Sequence, residues 1–163
     1  FTYTPSPTAT PTRIALLAQE GEEQLLLRYD GRSALLTNRM ANSSVFVDSL
    51  VFTKFVKDEQ GDFVQSDTFR MSSFSSAPSS LRSGACLQLW DSSQFSRPAN
   101  NNELVTGSCD VVPTWRTTNN VFWADESRDF YFRVTLNGVD QLTTCPTNRV
   151  GSLIEQRCVI RIR

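Results

Sequence analysis

The stretch Phe130-Tyr131-Phe132-Arg133-Val134-Thr135-Leu136, followed by Asn137-Gly138 and then Val139-Asp140-Gln141-Leu142-Thr143, decides the fold. In its first run the even positions are apolar and the odd ones mostly polar, which is the period of two of a strand with one buried face. A two-residue Asn137-Gly138 turn would set Val134 opposite Gln141 and push Leu142 outward beside Arg133, breaking the pattern. A three-residue loop ending in Gly138 as a bulge sets Phe132 opposite Leu142 and Arg133 opposite Gln141, so both runs stay consistent. The expected register is therefore the second, with Tyr131, Arg133 and Gln141 sharing an outer face.

The same signals recur outward in both directions. Gln24–Tyr29 and Ser33–Thr37 flank Asp30-Gly31, a pair suited to the positive φ values of a type I′ turn. Val45–Val47, Leu50–Val56, Phe63-Val64, Cys86–Trp90, Val121–Trp123, Gln141–Cys145 and Cys158–Ile162 read as further strands, with turn signals at Gln60-Gly61 and Arg82-Ser83-Gly84. The one helical candidate, Ile14–Leu27, is weakened by its central Gly21 and supports a single turn at most. Many short strands at this spacing predict an all-β chain, an immunoglobulin-like antiparallel β-sandwich of about 8–10 short strands.

Composition removes most catalytic classes. The 163 residues contain no histidine, so the commonest general base and metal ligand is missing, and with it every Ser-His or Cys-His nucleophile pair. Sixteen basic residues against seventeen acidic ones leave a formal charge of −1, and no run of basic residues offers a field for nucleic acid. Residues 1–12, FTYTPSPTATPT, are uncharged and rich in Pro and Thr, which predicts a semi-rigid spacer; residues 13–163 then form one domain. No apolar run approaches the ~18 residues that span a bilayer, so the expectation is an excised domain, anchored only through something upstream of Phe1 and monomeric by itself.

Four cysteines, Cys86, Cys109, Cys145 and Cys158, are separated by 23, 36 and 13 residues without a CxxC pair. A zinc site would need all four thiolates from distant places, so neither a metal nor any other cofactor is expected. An even count with long spacings predicts two disulfides in an oxidising compartment, hence an extracytoplasmic domain. Of the three pairings, Cys86–Cys109 and Cys145–Cys158 are preferred because each joins sequence neighbours.

The order of these features resembles the lamin-tail domain, an immunoglobulin-like sandwich. Ala34-Leu35-Leu36-Thr37-Asn38, Val47-Asp48-Ser49-Leu50-Val51-Phe52, Leu81 to Trp90 and Asp129–Leu136 with Asn137-Gly138 carry the likeness over residues 24 to 144. The family's Asn-Gly-Asp before the last hairpin is replaced by Glu126-Ser127-Arg128-Asp129. The cysteines resemble those of a bacterial extracytoplasmic subtype carried on Thr/Pro stalks, some of whose members sit outside membrane kinases. The resemblance brings no catalytic residues and implies binding or display.

Among candidate sites, Lys57-Asp58-Glu59-Gln60-Gly61-Asp62 lacks the spacing of a calcium loop and reads as a solvated hairpin tip. Trp90, Trp115, Trp123 and Tyr131 have the chemistry of a sugar-stacking platform, although tryptophans in a sandwich this small belong mostly to its core. No carboxylate pair is marked as catalytic, and Asn42-Ser43-Ser44 is formally a glycosylation acceptor. The expected function is a non-catalytic interaction or sensor domain that recognises a protein or a cell-wall glycan component. Tyr131, Arg133, Gln141, Trp90, Trp115 and Trp123 are its candidate surface. The alternatives are a carbohydrate-binding module, which needs exposed tryptophans, and a structural spacer, which needs no exposed apolar patch.

Overall fold

The computed structural model describes residues 24–73, 79–91, 110–111, 115–117, 121–126 and 130–162. The Pro/Thr spacer at 1–12, most of the helical candidate and Cys109 lie outside these residues.

Among the described residues twelve strands follow in chain order: β1 (Gln24–Tyr29), β2 (Ser33–Asn38), β3 (Leu50–Lys57), β4 (Phe63–Arg70), β5 (Ala85–Asp91), β6 (Asp110–Val111), β7 (Trp115–Thr117), β8 (Ala124–Asp125), β9 (Phe130–Leu136), β10 (Val139–Cys145), β11 (Asn148–Arg149) and β12 (Gln156–Arg161). The order β12-β1-β2-β5 makes one antiparallel sheet, and short β6 and β7 extend it by running parallel to β5. The order β10-β9-β3-β4 makes a second antiparallel sheet, and β8 and β11 form a short parallel ribbon. The chain is a two-sheet β-sandwich, and no α-helix occurs among the described residues.

Alternation explains the core. Leu25, Leu27 and Tyr29 of β1, Leu36 of β2, Leu87 and Leu89 of β5, Phe52 of β3 and Phe132 and Val134 of β9 are all fully buried between the sheets. Each such side chain contributes ~1.5–3 kcal/mol by leaving water. Val121-Phe122-Trp123, expected as a strand, forms none: it is the irregular approach to β8, and it delivers rings into the core. Phe122 stacks on Phe52 with centroids 3.9 Å apart and planes 10° from parallel, and meets Trp123 edge-on at 4.9 Å. Val45–Val47 likewise reduces to one bridge, Val45 to Leu81, before the 3₁₀ turn Val47–Ser49.

The β9–β10 hairpin corrects the expected register. Val139 pairs with Leu136 and Asp140 with Thr135, so the turn is the two-residue Asn137-Gly138, with φ of 51° and 78°. The register then shifts, and Thr144 pairs with Arg133 and Cys145 with Phe132. Asn-Gly fits the doubly left-handed turn so well that it prevails over strict alternation, and a bulge at Gln141–Thr143 absorbs the mismatch. Leu142 takes a left-handed φ of 53° there and turns outward, 57% exposed, while Gln141 turns in and is 3% exposed. The buried Gln141 amide is satisfied by donating to the Val139 carbonyl at 2.8 Å.

The β1–β2 connection also departs from expectation. Gly31 does not use the left-handed region. Instead, the Asp30 carboxylate accepts the backbone N–H groups of Arg32 and Ser33 at 2.7 and 2.9 Å, an Asx-type turn. Glycine is needed for a different reason: a Cβ there would lie 1.9 Å from the Arg149 carbonyl oxygen and 2.3 Å from the Ser152 nitrogen.

Cys145 and Cys158 form the expected disulfide, with Cα atoms 5.4 Å apart, and so join β10 of one sheet to β12 of the other. Cys86 is also disulfide-bonded, and no described cysteine is free. The loop between Cys145 and Cys158 is tied down at several points. The Tyr29 hydroxyl donates to the Pro146 carbonyl, and the Asn148 side-chain amide donates to the Ile154 carbonyl. The Arg28 guanidinium grips the Glu155 carboxylate through two bonds of 2.9 and 2.6 Å.

Candidate ligand-binding face

The two sheets differ in what their outer faces offer. On the first, Leu35 and Gln88 are cross-strand partners and both are buried, as are Cys86 and Trp90 beside them. On the second, the outward positions of β3 are Val51, Thr53, Phe55 and Lys57, half-buried or exposed. Pairing brings Tyr131 opposite Phe55, Arg133 opposite Thr53 and Thr135 opposite Val51, while β4 adds Phe63, Gln65, Thr68 and Arg70.

An aromatic cluster occupies one end of this face. Phe55 and Tyr131 stack with centroids 5.0 Å apart and planes 14° from parallel, and Phe63 approaches Tyr131 edge-on at 4.9 Å. The Lys57 ammonium lies 5.7 Å over the Phe63 ring. Phe63 and its neighbour Val64 are both exposed. Aromatic area held rigidly at a surface is a recurrent anchor for ligands, since it offers contact at small cost in side-chain entropy.

Toward the other end the face sinks into a shallow cleft of about 480 Å³, bordered by Thr53, Thr68, Thr135, Gln65, Arg70 and Asp48. Hydroxyl, amide, guanidinium and carboxylate groups thus line one open depression. Between cleft and cluster, Arg133 pairs with Asp140 at 2.7 Å across the hairpin, and Asp140 also accepts the Leu142 N–H at 2.8 Å. Such a surface can hold a polar, hydroxyl-rich or extended ligand, with rings to stack against and groups to hydrogen-bond.

The candidate residues read from sequence divide accordingly. Tyr131 and Arg133 lie on this face, as expected, whereas Gln141 does not, because the bulge turns it inward. Trp123 is fully buried with its indole N–H unpaired, and Trp90 is buried as well, so neither can stack a sugar at the surface. The side chain of Trp115 lies outside the described residues. No sequence motif marks Phe55, Phe63 or the three threonines, although the alternation of β3 puts Phe55 and Thr53 on one face. Asp58 serves its own turn by accepting the N–H groups of Gln60 and Asp62 at 3.0 and 2.8 Å. No group of three or more potential metal ligands occurs among the described residues.

Fold and face together define a β-sandwich with a partly aromatic, partly hydroxyl-lined outer sheet surface. The chain matches no protein-family model, no curated protein and no solved structure.

Proposed function

We propose that this chain is a non-catalytic, extracytoplasmic interaction domain whose ligand seats on the outer face of the β10-β9-β3-β4 sheet. The observation that carries the reading is the Phe55–Tyr131–Phe63 cluster beside the threonine-lined cleft. A spacer domain would have no use for exposed apolar area at this position. The Cys145–Cys158 disulfide supports an oxidising compartment, and the resemblance to lamin-tail domains supports display on a cell surface. The ligand class best suited to rings flanked by hydroxyls and amides is a cell-wall glycan. Sugar faces stack on aromatic rings while their hydroxyls exchange hydrogen bonds with side chains such as Thr68 and Gln65. In this reading exposed Phe63 and half-buried Phe55 and Tyr131 take the place that the buried tryptophans cannot fill.

The test is co-sedimentation with purified insoluble bacterial cell wall. The wild-type domain should pellet with the wall, and Tyr131→Ala combined with Phe63→Ala should weaken pelleting at least tenfold with little change in melting temperature. A wild-type domain that stays in the supernatant at every wall concentration overturns the glycan ligand and leaves the same face to a protein partner. Wall binding untouched by the double substitution overturns the assignment of the face.

A further inference from the structure

The inward face of β3 reads Leu50, Phe52, Lys54 and Val56, and Lys54 is the one residue that breaks an otherwise apolar series. Its side chain is only 9% exposed, and its Nζ lies 2.5 Å from Oδ2 of Asp125, whose side chain is 25% exposed. The Phe130 ring covers the same nitrogen at 5.3 Å. Asp125 belongs to β8, a strand of two residues that among the described residues pairs only with β11, so this contact links the β8–β11 ribbon to the four-stranded sheet. Burying an ion pair adds little net stability compared with apolar packing, because both charges must be desolvated. The placement calls for another reason.

We propose that Lys54 and Asp125 are joined by an intramolecular amide bond. The ammonium passes one proton along the existing hydrogen bond to the carboxylate, and the neutral Nζ attacks Cγ of Asp125. A Nζ–Cγ bond forms, the nitrogen yields a second proton to the departing oxygen, and the Cγ–O bond breaks to release water. An ammonium and a carboxylate become an amide and one water, with no change of oxidation state and no co-reactant. Both reacting groups are held in contact by their strands, which removes the entropic cost of bringing them together. The shielding of Nζ under Phe130 limits access of bulk water to the product, while the partly exposed side of Asp125 gives the released water a way out.

Intact mass measurement of the reduced, denatured wild-type chain tests the bond. The expected mass is that of the sequence less one water, and proteolysis should yield a single branched peptide joining the segments around Lys54 and Asp125. Lys54→Arg, which keeps the cation without a reactive amine, and Asp125→Ala should each restore the full mass. A wild-type chain at full sequence mass overturns the proposal, as does a lost water that maps to any other pair of residues. Because the wild-type chain supplies the decisive reading, the result does not depend on either variant folding.

Discussion

At the scale of single residues, two glycines with different duties give the sharpest contrast. Gly31 is required by the close approach of the Arg149–Ser152 backbone, whereas Gly61 has open space around it and is required only by its φ of +88°. Alanine at 31 must push two backbone segments apart and should cost about 3 kcal/mol or more, by the logic of overpacking against atoms that cannot rotate away. Alanine at 61 should cost about 1–2 kcal/mol, the strain of a left-handed L-residue. Urea unfolding of the two variants side by side checks the order, and equal losses would refute the close-approach argument. Glu155 provides a second residue-scale prediction. Partial burial acts to raise its pKa, but the hydrogen bonds and charges of Arg28 and Arg157 outweigh this and hold the carboxyl below its ordinary value. A carboxyl lowered in the folded state contributes stability above its unfolded value of ~4.3, and that contribution is lost as pH falls through the lower folded value. Arg28→Gln should therefore destabilise the domain at neutral pH, and the gap between variant and wild type should close in acid below about pH 4. A gap that stays constant down to pH 2 would remove the pair from the account.

At the scale of elements, the Cys145–Cys158 loop and the β9–β10 hairpin show how local closure is set. The disulfide spans 13 residues, for which loop-closure entropy predicts about 3 kcal/mol. Replacing both cysteines with alanine should reduce the unfolding free energy by roughly that amount. The loss should fall short of it if the Arg28–Glu155 grip and the Tyr29–Pro146 bond already restrain the loop, and chemical denaturation of the double variant measures the difference. In the hairpin, the strand of seven with its inward even positions was legible in sequence because a period of two has a single geometric meaning. The register was not. It depended on whether the turn or the alternation would yield, and the alternation yielded through a bulge at Leu142, at the cost of one strained residue. Leu142→Asn, in a residue type that tolerates left-handed φ, should leave stability unchanged or raise it by up to ~1 kcal/mol, as thermal melting would report.

At the scale of the whole molecule, the core depends on rings from both the sheets and an irregular segment. Phe52, from β3, stacks on Phe122 and stands edge-on to Phe132 at 6.2 Å. Phe52→Ala should cost about 3–5 kcal/mol, near the whole stability of an ordinary domain, and should spread to the β8–β11 ribbon, which follows Phe122 and Trp123 in the chain. Hydrogen exchange that speeds up only in β3 would contradict this shared core.

The sequence by itself determined that the chain is a β-sandwich and that Tyr131 and Arg133 face outward. Both follow from local rules, strand period and turn spacing, whereas the Cys145–Cys158 pairing was a preference that the structure made definite. Only the tertiary structure decided which tryptophans were lost to the core, that Gln141 turns inward, that the first sheet is buried on both faces at Leu35 and Gln88, and that Lys54 meets Asp125. These depend on contacts between segments far apart in sequence, where no local pattern records which surfaces will be covered. The proposed binding face is the clearest case, since its residues on β3, β4 and β9 come onto one surface only once β3 lies between β4 and β9.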